Sequence, residues 1–294
     1  MVTIIIPTYN GSKLLKQYSL PSLLKQGFSD WEALVINDGS TDNSSEIIKK
    51  FAAQDKRIKL IEQPINLGLA AALNLGIKIA QGEYIAILEH DDIWLPEKLN
   101  IQITQIKSGK KISTCNAIVY DTKSKRYTKI NGGNLSCFVF NHEAANLIFP
   151  IPEDRKYLGI EDGIITAELE ITKATGSISE NDLSANPNIL TIMNSNENTL
   201  SGQKNSLKME KRYKSVIDLY IKQLGKYKEL DKLINFWQKH YRYNHALSNL
   251  PKFIQKIIYF IINISKTIKN RKQINVFRKS QYYQVIKKYR EFFD

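Results

Sequence analysis

The chain has 294 residues, 43% of them hydrophobic and 24% charged, which suffices for one large or two modest domains with a buried core and rules out wholesale disorder. Its formal charge of +13 is unevenly placed: residues 205–294 carry 21 basic against 6 acidic side chains, a surplus of 15, whereas residues 1–204 carry 21 against 23. An almost neutral body joined to a basic segment suits contact with an anionic surface, either a phospholipid leaflet or nucleic acid.

The chain opens with three isoleucines before Pro7 and no basic leader. That is too short for a secretory apolar core, so a cytoplasmic location is expected. Residues 3–6 read as a first strand stopped by Pro7, and 12–26 as a helix. A second strand over 33–36 ends at Asn37-Asp38-Gly39-Ser40, and a helix over 43–54 leads to a third strand at 58–62. Asn66-Leu67-Gly68 opens an Ala-rich helix running to residue 79. A fourth strand at 84–88 then enters Glu89-His90-Asp91-Asp92. Short β-branched runs alternating with helix-length amphipathic stretches give a parallel sheet covered by helices. Polar residues gather where the strands end, and in open α/β sheets ligands bind there, so one site is expected.

From residue 93 onward the pattern is mixed. A helix is expected at 96–108, a strand at 112–120, a charged edge strand at 122–130, and helices at 141–148 and 161–171 around a loop at 150–154. The polar stretch 194–205 marks a boundary. Beyond it, helices are expected at 206–224, 228–246, 252–269 and 280–293, with Gly225 and Pro251 as punctuation. The longest apolar run, 257–262, has six residues, against roughly 20 for a membrane-spanning helix. Cys115 and Cys137 lie in apolar surroundings without metal-ligand spacing, which speaks against a disulfide framework or a structural zinc site.

Asp38-Gly39-Ser40 after a buried strand is compatible with a plain turn. It also sets a carboxylate where it can accept from a nucleobase N–H or ribose hydroxyls, with Gly39 admitting a ligand close to the backbone. The glycines form neither of the familiar phosphate-cradling spacings. Glu89-His90-Asp91-Asp92 places three carboxylates within four residues, a costly repulsion unless a cation or ordered hydrogen bonds neutralise it. Capping the following helix needs one acid only. Oxygen ligands select Mg²⁺ or Mn²⁺, which keep positions open for phosphates.

Four blocks carry a resemblance: Thr3-Ile-Ile-Ile-Pro-Thr-Tyr-Asn10, Val35-Ile-Asn-Asp-Gly-Ser-Thr-Asp-Asn-Ser44, Asn66-Leu-Gly-Leu-Ala-Ala-Ala-Leu-Asn-Leu-Gly76 and Gly82-Glu-Tyr-Ile-Ala-Ile-Leu-Glu-His-Asp-Asp92. In this order they resemble the signature blocks of family 2 glycosyltransferases, closely over residues 1–100 and loosely over 101–200. The resemblance implies an α/β glycosyltransferase type A fold, a Rossmann-like mostly parallel sheet flanked by helices, here with a basic α-helical C-terminal extension. It implies a catalytic domain over 1–204, divided into a nucleotide-sugar-binding half (1–100) and an acceptor-binding half (101–204); no motif of the family covers 205–294, where charge and pattern give a basic helical region. It further implies a nucleotide-sugar donor (UDP-, dTDP- or GDP-linked) and inversion at the anomeric carbon. By motif position Pro7, Thr8, Tyr9 and Asp38 hold the nucleoside, with Gly39, Asn66, Gly68, Glu89 and His90 on the donor. Asp91, with Glu89 and Asp92, holds Mn²⁺ or Mg²⁺. Glu89 and His90 depart from the family's Asp-any-Asp form. The general base falls in the acidic pair Glu161-Asp162, with Asp162 taking the acceptor's proton.

In 252–269, Phe253, Ile257, Phe260, Ile261, Ile264 and Ile268 recur at offsets of three and four, flanked by lysines. Such a helix lies in a membrane interface or packs on the body. Nucleic acid is the less favoured partner, because no recognised binding motif occurs. The expectation is a metal-dependent inverting transferase, peripheral on the inner face of the cell membrane, that extends a cell-surface polysaccharide or lipid-linked glycan. A degenerate homologue that only binds nucleotide or glycan is the alternative.

Overall fold

The structure is a computed structural model that describes residues 1–121, 126–130, 134–154, 161–174 and 176–195. The four expected tail helices, the Phe253 to Ile268 stripe and the region 205–294 lie outside the described residues, as does most of the 194–205 boundary.

Four parallel strands form the first half of one sheet: β1 (Val2–Thr8), β2 (Trp31–Asp38), β3 (Ile58–Gln63) and β4 (Tyr84–Ile87), in the order β3-β2-β1-β4. Val2 is in register with Trp31 on one side and Tyr84 on the other. The isoleucine run of β1 is buried on both faces, as a central strand between helix layers requires. Ile4 and Ile6 pack with Leu15, Leu23, Ile48 and Leu99 on one face. Ile5 packs with Ala72, Leu73 and Ile77 on the other, where Ile164, Ile165 and Leu169 join the same cluster.

The helices follow in chain order: α1 (Ser12–Leu14), α2 (Leu20–Leu24), α3 (Ser44–Gln54), α4 (Leu69–Ile79), α5 (Lys98–Lys107), α6 (His142–Ile148) and α7 (Glu161–Ala174). The single helix expected at 12–26 is interrupted by a π turn, Leu15–Ser19. Pro21, at the start of α2, offers no N–H, and the widened turn before it accommodates the missing bond. Pro7 does not stop β1. The strand continues to Thr8, because the flank where Pro7 lacks a donor faces β4, whose ladder with β1 ends at Ile87.

The second half of the sheet adds β5 (Ile93–Trp94), β6 (Ile112–Asp121), β7 (Arg126–Ile130), β8 (Val139–Asn141) and β9 (Leu183–Ser195). The sheet continues β4-β8-β6-β9-β5, with β7 pairing β6. β8 runs antiparallel to β4, and β9 parallel to β6. Of the edge strand expected at 122–130, the described part is Arg126–Ile130. β5, β8 and β9 are additions to the expected elements, and β8 moves the helix expected from 141 to a start at His142. In β9, Asn186-Pro187-Asn188 has the composition of a turn but forms a register shift opposite Cys115 to Ala117. Asn116 Nδ2 donates to the Pro187 carbonyl there at 2.7 Å. No helix among the described residues is long and apolar enough to cross a membrane.

Candidate functional site

The segments leaving β1 and β2 are fastened to one another. Asn10, at φ 49°, lets its Oδ1 accept from the Thr41 amide at 2.8 Å and the Asp42 amide at 3.3 Å. Its own amide donates to Ser40 Oγ. One residue on, Gly11 N–H donates to Ser44 Oγ, and Ser12 N–H to Asp42 Oδ2 at 3.0 Å. Burial raises the Asp42 carboxyl, but hydrogen bonds from Ser44 and Ser12 outweigh it and hold the group below its ordinary value. Pro7 and Thr8 are buried at the end of β1, and Tyr9 beyond them is 46% exposed.

Asp38 ends β2 buried, its two oxygens accepting from the Leu67 and Gly68 amides at 2.8 Å each. The carboxylate thereby fixes the entry to α4 and neutralises two otherwise orphan donors at a helix N-terminus. Gly39, at φ 63°, lies against the chain itself: a Cβ there would stand 2.4 Å from the Ile65 carbonyl carbon and 2.5 Å from the Asn66 nitrogen. The close approach this glycine permits is that of the 65–66 peptide. Gly68, at φ 103°, faces open space, and Asn66 beside it is half-buried.

The turn after β4 sorts its acids into three environments. Glu89 is held from the far half of the sheet: Asn134 Nδ2 donates to Oε2 at 2.7 Å, and the Glu89 amide donates to Ser136 Oγ at 2.9 Å. His90 Nδ1–H donates to the Pro7 carbonyl at 3.2 Å, which bridges the ends of β4 and β1 and leaves Nε2 as the other ring nitrogen's acceptor when the imidazole is neutral. Asp92 is 2% exposed. Asp91 is half-buried, and its carboxylate has no hydrogen-bond or ion-pair partner among the described residues. Among those residues no three His, Cys, Asp or Glu side chains gather to hold a metal ion. Of the three carboxylates expected to share a cation, Glu89 accepts from Asn134 through one oxygen and Asp92 is enclosed, so Asp91 is the most accessible to a ligand. One carboxylate still fits Mg²⁺ or Mn²⁺, which are usually bound through one or two carboxylates with phosphate oxygens and water completing the shell.

Glu161 and Asp162 open α7, where a helix was expected to begin. Glu161 is buried; the side chain of Asp162 lies outside the described residues. Asn134 and Ser136, which secure Glu89, escape sequence reading because they sit 45 and 47 positions away in a stretch without pattern. His142 Nδ1–H donates to the Gly82 carbonyl at 3.0 Å, at the opposite end of β4.

The profile of glycosyl transferase family 2 matches residues 3–164, from β1 into α7. An uncharacterized glycosyltransferase of Haemophilus influenzae is 45% identical over 114 residues, which are 39% of this chain and 45% of that protein. UDP-Glc:alpha-D-GlcNAc-diphosphoundecaprenol beta-1,3-glucosyltransferase WfgD of Escherichia coli is 41% identical over 106 residues, 36% of this chain and 41% of that one. The matched segments thus span less than half the length of these curated relatives. Among solved structures, mannosyltransferase PcManGT from Pyrobaculum calidifontis in complex with GDP-Man and Mn²⁺ superposes with a TM-score of 0.59 at 16% identity, covering 99% of this chain and 84% of that one. S. aureus TarS 1-349 in complex with UDP-GlcNAc gives 0.56 at 18% identity, over 74% and 66%. At these identities the likeness is one of fold, and the fold is the glycosyltransferase type A arrangement expected from the four blocks.

Proposed function

Because the chain belongs to glycosyl transferase family 2, we propose that the crevice at the carboxyl ends of β1, β2 and β4 binds a nucleotide sugar and passes its sugar to an acceptor hydroxyl with inversion. The observation that carries this reading is Asp91. Its neighbours in the same turn are tied to Asn134 and Pro7 or enclosed, and this one carboxylate stands half-exposed and unpaired among the described residues. A free carboxylate at the end of a core strand is placed for a ligand that brings its own positive charge.

In this reading Pro7, Thr8, Tyr9 and Asp38 line the nucleoside, and Gly39, Asn66 and Gly68 shape the floor beneath it. Glu89 and His90 meet the donor further along. Asp91 holds Mn²⁺ or Mg²⁺ together with the donor's diphosphate, and the cation, when bound, supplies charge against that building on the leaving group. Asp162, at the start of α7 with Glu161 beside it, accepts the proton of the acceptor hydroxyl as that oxygen attacks the anomeric carbon. The bond from the anomeric carbon to the diphosphate oxygen breaks on the opposite face, and its electron pair leaves with the nucleoside diphosphate. The E. coli relative's name specifies a diphosphoundecaprenol-linked acceptor. A lipid-linked glycan in cell-surface polysaccharide synthesis is accordingly the acceptor class proposed here, met at the inner membrane face with the basic region 205–294 towards the anionic headgroups.

The test is a titration of UDP-, dTDP- and GDP-sugars with and without Mn²⁺, followed by nucleoside diphosphate release. One donor should bind in a metal-dependent manner, chelation should abolish that affinity, and Asp91→Asn should mimic chelation. Asp162→Asn should retain donor binding and cut turnover by about 10²-fold or more. If no donor binds with metal present, the transferase reading fails; if Asp162→Asn loses donor binding as steeply as turnover, Asp162 is not the base.

A further inference from the structure

Beneath the Glu89 to Asp92 turn lies a buried ionisable group that sugar transfer does not use. Lys98, in the first turn of α5, is 0% exposed, and its Nζ donates to Gln102 Oε1 and sits 4.4 Å from the centre of the Trp94 ring. No described carboxylate lies within ion-pair distance of it; the groups facing it electrostatically are the thiols of Cys115 and Cys137. Both cysteines are free and at most 1% exposed. The Cys115 sulfur is 3.6 Å from Thr191 Oγ1, and Gln102 Nε2 donates to the Cys137 carbonyl at 2.9 Å, so α5, β6, β9 and the 3-10 turn Leu135–Cys137 enclose the group together.

A fully buried ammonium without an anion is costly, and the protein relieves it by losing the proton or by supplying a counter-charge. Burial lowers the Lys98 ammonium and the two thiols oppose that shift, while the enclosed Asp92 carboxylate acts on Cys137 as well. Cys115 and Cys137 lie in one buried cluster with Ala117 and Leu190, and against the effect of burial the neighbouring Cys137 thiol, Lys98 and the Thr191 hydroxyl lower the Cys115 thiol below its ordinary value. The neighbouring Cys115 and burial raise Cys137 well above the usual range. One sulfur is therefore set up as nucleophile and its neighbour kept protonated.

We propose that Cys115 and Cys137 form a redox-active dithiol, with Cys115 as the attacking sulfur, Cys137 as the resolving one and Lys98 as the counter-ion, which closes to an intramolecular disulfide with hydrogen peroxide. The Cys115 thiolate attacks one peroxide oxygen, the O–O bond breaks, and Cys115 becomes a sulfenic acid as hydroxide leaves. Lys98, now without its anion, gives a proton to that hydroxide and becomes neutral, forming water. The Cys137 thiol then displaces the sulfenic hydroxyl, forming the S–S bond and a second water. Two thiols are oxidised and one peroxide is reduced. Enclosure of both sulfurs selects a small neutral oxidant over a bulky disulfide such as oxidised glutathione.

The experiment uses the full chain, treated with hydrogen peroxide under native conditions, quenched in acid and alkylated after unfolding. The expected result is a peptide pair joined through Cys115 and Cys137, lighter by two hydrogens, with oxidised glutathione producing none. Cys137→Ser should let a sulfenic-acid trap label Cys115, whereas Cys115→Ser should leave Cys137 unmodified under the same exposure. Lys98→Met should slow thiol loss at pH 7 by at least about tenfold, because the thiolate fraction falls when its counter-ion is removed. Full alkylation of both cysteines in the peroxide-treated wild type overturns the proposal. So does a disulfide formed between chains, or trap labelling that falls on Cys137 rather than Cys115.

Discussion

Gly39 and Gly68 both have positive φ, 63° and 103°, but for different surroundings. An alanine at Gly68 meets only backbone strain, since nothing lies within reach of its Cβ, and should cost about 1–3 kcal/mol. At Gly39 the strain of the left-handed region is joined by an overlap with the 65–66 peptide, and backbone cannot swing aside as a long side chain can. Gly39→Ala should therefore be the more destabilising, and it should also weaken donor binding by displacing the segment that Asp38 grips. Denaturant midpoints for the two variants test this, and equal losses would show that the 65–66 segment yields freely. Asp42 makes a pH-dependent contribution nearby. Its folded value is held below the ordinary 3.8, so the stability it adds is complete above that value and is lost as pH falls through the depressed one. The stability difference between wild type and Asp42→Asn should be flat from about pH 5 to 8 and shrink below about pH 4. A difference unchanged at the acid end would remove Asp42 from the fastening of the two loops.

The element that joins the two halves of the proposed site is α4. Asp38 holds the entry to its N-terminus, and Asn74 on its body reaches Ile151. Asn74 Nδ2 donates to the Ile151 carbonyl at 2.7 Å and to Glu153 Oε1 at 2.8 Å, and Asn74 Oδ1 accepts from the Ile151 amide at 2.9 Å. Ile151 in turn shares a core cluster with Ile164 and Ile165 of α7. Asn74→Ala leaves a backbone donor and acceptor of a buried residue unpaired and should cost about 1–3 kcal/mol. Hydrogen exchange should speed up at the Ile151 amide before it does in β1 or β2, and protection that stays unchanged would show the clamp to be redundant. The strands β1 to β4 were legible in the sequence because a buried parallel strand is a continuous apolar run. The two-residue β5 and three-residue β8 are too short to leave a pattern, and β9 is hidden by Asn-Pro-Asn, which its neighbour β6 accommodates with a register shift. The acids of the site were legible because they are adjacent in the chain. Their unequal fates were not, since the contacts that tie Glu89 come from Asn134 and Ser136.

At the scale of the whole molecule, the surplus of 15 basic side chains in residues 205–294 is the clearest feature outside the family blocks. Docking on an acidic leaflet predicts that vesicles containing anionic lipid pellet the full chain but not a chain ending near residue 205. Each basic side chain near the surface adds about 1 kcal/mol, and salt should release the protein as the screening length falls below about 10 Å. Equal binding to neutral and anionic vesicles would remove the electrostatic part. The described sheet carries one more consequence, through β9. It comes last among the described strands in the chain, yet it lies inside the sheet between β6 and β5, with Ile93 in register with Ile192. On the ribosome, β5 and one flank of β6 emerge long before the strand that covers them. The nascent chain must therefore shelter two open hydrogen-bonding edges while nearly the whole of the matched segment 3–164 is already outside the exit tunnel. Slow translation just beyond β9, while that strand is still inside the tunnel, would lengthen the exposure.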